Sequence, residues 1–311
     1  MPDQVCCVCA DPATSMISKR WFCEKHARLA ARERPHAWKS SILLVVGLVV
    51  FVAIIYLLDL LLHPALTGIT LILAGVVLAL VPAFIWLAFF YLQDRLEPEP
   101  KGYILGVFLL GALLASAVGI PLVENLFRVS KWIYSDTLTT ILGSILVVGF
   151  IQEFLKYAAV RYSVFPSAEF DEATDGVIYA TAAGLGYATV LNIQFVIANG
   201  GVALGSSVIR MVVVALAQAS FAGITGYFLG RAKFEKKSWL WLPAGITLAA
   251  VANGLFNWLR GRIVQTGISL SGGASASPWL GLVLAAVVAV LSMGLILWLV
   301  RRNIRTALAG K

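Results

Sequence analysis

The sequence predicts an all-α, polytopic membrane bundle of about eight transmembrane helices with a small zinc-knuckle module at its N-terminus. Two observations carry the bundle and a third the module. The chain is 60% hydrophobic and only 13% charged, about half the charged fraction of a soluble domain, and its mean hydropathy is +0.88. Its apolar stretches approach the ~20 residues needed to cross a bilayer. They are also too continuous for the alternation of a membrane barrel, so helices must satisfy the backbone internally. All four cysteines fall within the first 23 residues, close to His26.

That N-terminal pattern is Cys6-x2-Cys9, thirteen residues, then Cys23-x2-His26. Two short turns spaced in this way each present two ligands to a tetrahedral zinc ion. A module of this size has too little core to fold without metal, and reduced cytosolic thiols argue against disulfides. Cys6, Cys9, Cys23 and His26 are therefore the expected ligands of a structural zinc, with Cys7 as an alternative to Cys6 and Trp21 and Phe22 as the apolar anchor. Such a module suits docking of a cytosolic protein better than catalysis. The first ~35 residues are polar where a cleavable signal peptide would place its apolar region.

The organisation expected is residues 1–27 as the zinc-knuckle module, 28–40 as a basic linker lying against anionic lipid headgroups, 41–300 as the bundle, and 301–311 as a basic tail. Spans are expected near Ser41–Leu62, Gly68–Leu92, Tyr103–Phe127, Leu138–Tyr162, Asp175–Ile197, Leu204–Leu229, Trp239–Leu259 and Trp279–Val300. Lys19, Arg20, Lys25, Arg28, Arg32, Arg34 and Lys39 precede the first, Arg231, Lys233, Lys236 and Lys237 lie at the end of the sixth, and Arg301, Arg302, Arg305 and Lys311 follow the last. The opposite side receives little beyond Arg128, Lys131, Arg260 and Arg262. The positive-inside rule then puts both termini in the cytosol. Since orientation accounts for the +8 net charge, no nucleic-acid partner is expected.

Along the spans, Asp59 and His63 read as interfacial, and the two Glu-Pro steps of Asp94–Lys101 make a stiff charged loop that no helix can continue through. Glu124 and Asn125 sit near the outer end of the third span, where snorkelling and a buried pair are both open. The fourth span holds the most informative stretch, Val147–Tyr162, which places Gln152, Glu153 and Lys156 inside hydrocarbon. Ionised groups there cost several kcal/mol unless paired or facing a polar cavity, so they mark a candidate site. At spacings of i,i+3 and i,i+4 the three can meet on one helix face. The fifth span is rich in Gly and Ala from Asp175 to Ala188, a surface for close packing on a neighbour such as span four. Asn192, Arg210, Gln218, Ser220, Asn253 and Asn257 place polar groups at membrane depth on the fifth to seventh spans, and Gly/Ser-rich residues 268–278 lead to an eighth span that serves packing only.

The order of these landmarks resembles the PrsW-type intramembrane proteases, part of a wider superfamily of glutamate-dependent membrane proteases. The matching pieces are Asp94-x2-Glu97-Pro98-Glu99-Pro100, Phe150-Ile151-Gln152-Glu153-Phe154-Leu155-Lys156, Asp175-Gly176-x2-Tyr179 through Gly184, Gly186, Tyr187 and Ala188, and Gln218-Ala219-Ser220 with Gly223-x2-Gly226-Tyr227. They run in the family's order over roughly residues 91–258, and the zinc knuckle lies outside them. The resemblance implies a protease of the bacterial cytoplasmic membrane that cuts a membrane-embedded or juxtamembrane protein, with a carboxylate to activate water, donors for the oxyanion, and in some accounts a metal held by Glu and His. It also implies a Glu-Glu pair where Gln152-Glu153 stands, Glu-Asn where Leu191-Asn192 stands, and His at Gln218 and, by a looser match, at Asn253.

Neutral side chains therefore occupy acid, base or ligand positions. Gln neither takes a proton near neutral pH nor binds such metals well, so no catalytic metal is expected. Two readings follow for the candidate residues Glu153, Lys156, Gln152, Asn192, Gln218 and Asn253. In one, a relative with lost or impaired catalysis binds membrane segments. In the other, Glu153 is the sole general base of an active protease, with Asn192 or Gln218 as oxyanion donor. A transporter is not supported, because no pair of broken helices repeats across two halves.

Overall fold

The computed structural model describes residues 5–6, 9, 11–17, 20–31, 37–62, 66–93, 99–202, 204–266, 279–292 and 294. His63, Cys7, Asp94, Glu97, the 268–278 loop and the basic tail lie outside the described residues. The N-terminal module is a two-stranded antiparallel hairpin, β1 (Ser15–Ile17) paired with β2 (Arg20–Phe22), followed by helix α1 (Glu24–Ala31). Ser15 faces Phe22 in the register, and Phe22 and Cys23 are buried. The small apolar anchor is thus made by Phe22, with Trp21 half-buried.

The bundle follows as α2 (Ala37–Leu62), α3 (Gly68–Gln93), α4 (Lys101–Leu114), α5 (Thr137–Gly143), α6 (Phe150–Arg161), α7 (Asp175–Ala198), α8 (Leu204–Phe234) and α9 (Trp241–Thr266). A shorter helix, α10, covers Trp279–Ser292. α4 continues through π-helical turns at Ala115–Gly119 and Pro121–Leu126, and α5 is joined to α6 by another at Ser144–Gly149. The expected third and fourth spans therefore each cross as one long rod. Seven helical segments are long and apolar enough to span a membrane among the described residues. The expected eighth is helical over Trp279–Ser292, where the Ser292 hydroxyl donates to the carbonyl of Val288, and Leu282, Ala285 and Ala289 join the core.

Burial separates inner from outer helices. The apolar window of α2 is 17% buried and that of α8 is 83% buried, so α2 offers most of its surface to lipid while α8 is an axis of the bundle. α7 lies between α8 and α4. A Cβ on Gly176 would stand 2.7 Å from the backbone nitrogen of Gly230, and one on Gly226 would stand 2.7 Å from Ala180 Cβ. Only glycine lets the two backbones come so near. The Gly/Ala surface was expected against a neighbour such as span four. It meets α8 and α4 most closely, because Gly111 and Gly186 bring α4 onto its other side. Asp59 ties α2 to the start of α8 by accepting from the Gly205 N–H at 3.1 Å. Asp175 accepts from the N–H groups of Asp171 (2.8 Å) and Glu172 (2.6 Å), so it organises the preceding loop rather than capping α7.

Candidate functional site

The site is assembled where α6, α8 and α9 meet. The π-helical stretch before α6 lets α9 approach closely: a Cβ on Gly149 would lie 2.5 Å from the Ala250 carbonyl oxygen, and one on Gly254 2.5 Å from Ile145 Cγ1. That approach carries Asn253 to the side chains of Gln152 and Glu153. Lys156 Nζ donates to Glu153 Oε1 at 2.5 Å and to Gln218 Oε1 at 2.7 Å. Gln218 Nε2 donates to Gln152 Oε1 at 2.8 Å, and Asn253 Nδ2 lies 2.8 Å from Glu153 Oε1 and 3.0 Å from Gln152 Oε1. Asn257 extends the chain by donating to Asn253 Oδ1 at 2.8 Å.

Gln152, Glu153, Lys156, Gln218 and Asn253 thus form one network, and all five are buried, Glu153 and Lys156 completely. The face expected on α6 is present, with one difference. Gln152 reaches Lys156 through Gln218, because Lys156 turns toward α8. Asn192 is elsewhere. It donates to the Met211 carbonyl at 3.1 Å and accepts from Arg210 Nη1 at 3.2 Å, so its amide is engaged between α7 and α8. Ser220 donates to the Leu216 carbonyl within its own helix. Glu153 Oε2 has no hydrogen-bond partner among the described residues.

Beside the network opens a cavity of about 770 Å³. Gln152, Gln218, Asn253 and Asn257 line it, with Tyr187 and Leu191 from α7, while Glu153 and Lys156 stand behind that polar layer. Residues of the π-helical turns, among them Gly119 and Ser144, form part of its wall, a common association of such turns with functional sites. Glu124 and Asn125 are exposed near its mouth, which decides between snorkelling and burial. Arg210 and Arg260 also line it. From charge placement alone Arg260 counts only as a loop charge. Its signal was available: Asn253, Asn257 and Arg260 stand at i, i+4 and i+7, one face of a helix.

A second polar cluster sits at the end of the bundle where α4 and α7 begin. Tyr179 donates its hydroxyl to Glu99, and the Glu99 and Asp175 carboxyls share a hydrogen bond. Burial holds Glu99 above the ordinary carboxyl range, opposed by the hydrogen bonds from Tyr179 and Asp175 and reinforced by the charges of Asp171 and Glu172. Lys233 Nζ donates to the carbonyls of Phe165 (2.5 Å), Ser167 (3.2 Å) and Phe170 (2.6 Å), closing the adjoining loop.

In the N-terminal module, the ligand atoms of Cys6, Cys9, Cys23 and His26 all lie within 4.8 Å of one another. Cys9 and Cys23 sulfurs are 3.7 Å apart, and His26 Nδ1 is 3.5, 3.3 and 3.2 Å from the sulfurs of Cys6, Cys9 and Cys23. A tetrahedral zinc with Zn–S of ~2.3 Å separates its sulfurs by roughly 3.8 Å and S from N by roughly 3.6 Å. The donor set fits a metal ion, with Cys6 as its fourth member among the described residues.

The chain is similar to proteins named Protease PrsW from Geobacillus kaustophilus (strain HTA426), 32% identical over 191 residues covering 61% of this chain and 79% of that protein, from Halalkalibacterium halodurans, 31% over 181 residues covering 58% and 80%, and from Bacillus subtilis (strain 168), 29% over 182 residues covering 58% and 79%. No solved structure matches it. The family described as PrsW family intramembrane metalloprotease matches residues 99–295. A metal in the bundle does not fit the residues present. The network supplies one carboxylate, and that carboxylate is already paired with the Lys156 ammonium among neutral amides. Among the described residues the one group of His, Cys, Asp and Glu able to hold an ion is the N-terminal one. With the fold, the order of its polar landmarks and this match over residues 99–295 in agreement, the chain belongs to the PrsW family of intramembrane proteases.

Proposed function

We propose that this PrsW-family membrane protein binds membrane-embedded protein segments in its cavity, with catalysis lost or impaired. One observation carries the reading: the only carboxylate of the network is buried in a pair with Lys156, and the members of the network that face the cavity are amides. Amides hydrogen-bond a peptide backbone well, but they do not accept a proton near neutral pH. Leu191, on the cavity wall, adds an apolar contact where the resemblance implies an acid.

The second reading, a working protease that cleaves a membrane-anchored regulator with Glu153 as general base, is favoured by the unpartnered Glu153 Oε2. Against it, Glu153 is wholly buried behind Gln152 and Gln218, with no route to a peptide carbonyl unless the network opens. Incubating the purified protein in lipid with single-span substrates, beside Glu153→Gln, separates the two. No cleavage by the unaltered chain, together with cleavage once Gln152→Glu, Leu191→Glu and Gln218→His are combined, supports loss of catalysis. Cleavage by the unaltered chain that vanishes in Glu153→Gln overturns it.

The N-terminal module, in this proposal, holds a structural zinc through Cys6, Cys9, Cys23 and His26 and offers a cytosolic protein a docking surface. Lipid is the bundle's other partner, in the bacterial cytoplasmic membrane with both termini in the cytosol. A cysteine-labelling scan of the module and of Lys236 against Arg128 tests that orientation.

A further inference from the structure

Three arginines line the cavity: Arg262 donates to the Thr137 hydroxyl at 2.6 Å, and the other two are Arg210 from α8 and Arg260 from α9. No acidic side chain lies within salt-bridge distance of either among the described residues. Arg210 donates to the neutral Asn192 amide at 3.2 Å and stacks 3.8 Å above the Phe195 ring centroid. Arg260 leaves its Nε buried without a hydrogen-bond partner. The two cations are close enough to repel one another. The acids that share the cavity wall pair with neither: Asp136 accepts from the Thr139 backbone N–H at 2.9 Å and from its hydroxyl at 2.5 Å, and Glu124 is exposed.

Ionised groups inside a membrane protein line polar cavities and pair with something, and an unpaired one marks a ligand pathway. Guanidinium presents a planar fork of donors that matches a carboxylate with two parallel hydrogen bonds. The neighbouring lining is Asn253, Asn257, Gln152 and Gln218, which suits peptide groups and brings no negative charge. Connectivity puts this pair of arginines at the end of the bundle where α4, α7 and α9 finish and α8 begins, opposite the end where α2 starts.

We propose that Arg210 and Arg260 form a carboxylate-recognition site, and that the segment bound in the cavity carries an Asp or Glu at the end of its span opposite the N-terminal module. The inference rests on the reading of the cavity as a peptide-binding site and names its selectivity. Its test is the affinity of the full-length protein in zwitterionic nanodiscs for fluorescent single-span peptides that differ only in Glu, Gln or Lys at that flank. The Glu peptide is expected to bind about tenfold more tightly than the Gln peptide, the size of one charge-assisted contact, and the Lys peptide more weakly than either. Arg260→Gln is expected to bring the Glu and Gln peptides to equal affinity with both still bound, a result that misfolding cannot give. Equal binding of Glu and Gln peptides by the unaltered chain overturns the proposal and leaves the peptide-binding function standing. So does loss of the preference when phosphatidylglycerol is added, provided that lipid raises the Tm of the peptide-free protein and does not raise that of Arg260→Gln, because the occupant is then a lipid phosphate. Failure of all three peptides to bind removes the peptide-binding function itself, and the inference with it.

Discussion

Two regions of this molecule gather polar side chains into a cluster, and they are built in opposite ways. In the N-terminal module the cluster spans Cys6 to His26, two cysteines ahead of the hairpin, one just after it and the histidine in the first turn of α1, and all four have metal-binding chemistry. In the bundle, hydrogen-bonded partners are 66 and 101 positions apart in the chain, on three different helices, and most are amides. Apart from the Cys/His cluster, the module is held by the short β1–β2 pairing and the buried Phe22 ring. The bundle is held by helix packing and does not need an ion at its centre. Gln and Asn can satisfy the same hydrogen-bonding positions as acids and imidazoles, so helix packing does not depend on which of them stands there.

The largest effect that sharpens this contrast is expected in the module. Zinc analysis of the purified protein is expected to give one ion per chain, and Cys23→Ser to give none, with hydrogen exchange accelerating across β1, β2 and α1 while the bundle is unaffected. Zinc binding in comparable modules is worth about 10–16 kcal/mol. A chain that takes up no zinc with all four ligands intact breaks the comparison at its first term.

Next in size is the buried pair. Lys156→Met leaves Glu153 without its cation and is expected to cost about 3–5 kcal/mol in unfolding from detergent micelles. The double change Glu153→Gln with Lys156→Met should recover most of that loss, since no charge then remains buried. If single and double variants unfold alike, the pair is not what the polar network is organised to satisfy.

A smaller loss is expected where backbones touch. Gly254→Ala puts a methyl against Ile145 and Gly226→Ala puts one against Gly176, each about 1–3 kcal/mol by overpacking. The two differ in a second readout. Gly254→Ala moves Asn253 away from Gln152 and should weaken peptide binding, whereas Gly226→Ala should lower Tm alone.

The smallest effect is at Glu99. Replacing it with Gln removes a charge-bearing partner of Tyr179 and should change stability by about 1 kcal/mol. Because its carboxyl titrates higher when folded than unfolded, the stability it contributes is complete below the ordinary glutamate value and declines as pH rises through the raised one. Thermal melts from pH 4 to 8 should therefore show part of the unaltered protein's decline removed in Glu99→Gln.

Much of this was legible before any coordinates. The spans were visible as apolar runs because a bilayer demands length and hydropathy from each helix separately. The knuckle was visible because its ligands are close in sequence. Glu153 and Lys156 stood out as charges in hydrocarbon, and the i,i+3 spacing pairs them correctly. What was missed was relational. Asn192 is on the expected helix, yet its amide is taken up by Met211 and Arg210. Arg260 lies only a turn beyond Asn257 but was read as flanking charge, because its direction depends on how α9 crosses the π-helical stretch. The Glu99, Tyr179 and Asp175 cluster joins a loop to a helix 80 positions away, a distance that no local pattern spans.

By itself the sequence determined that the chain is a helical membrane bundle of this family with a four-ligand module ahead of it, since these follow from hydropathy, spacing and the order of motifs along one chain. Only the tertiary structure decided which polar groups meet, which face the cavity and which are hidden behind it. Those outcomes depend on the distance and rotation between helices, set by glycine contacts at Gly149, Gly176, Gly226 and Gly254 that are readable only once both partners are in place.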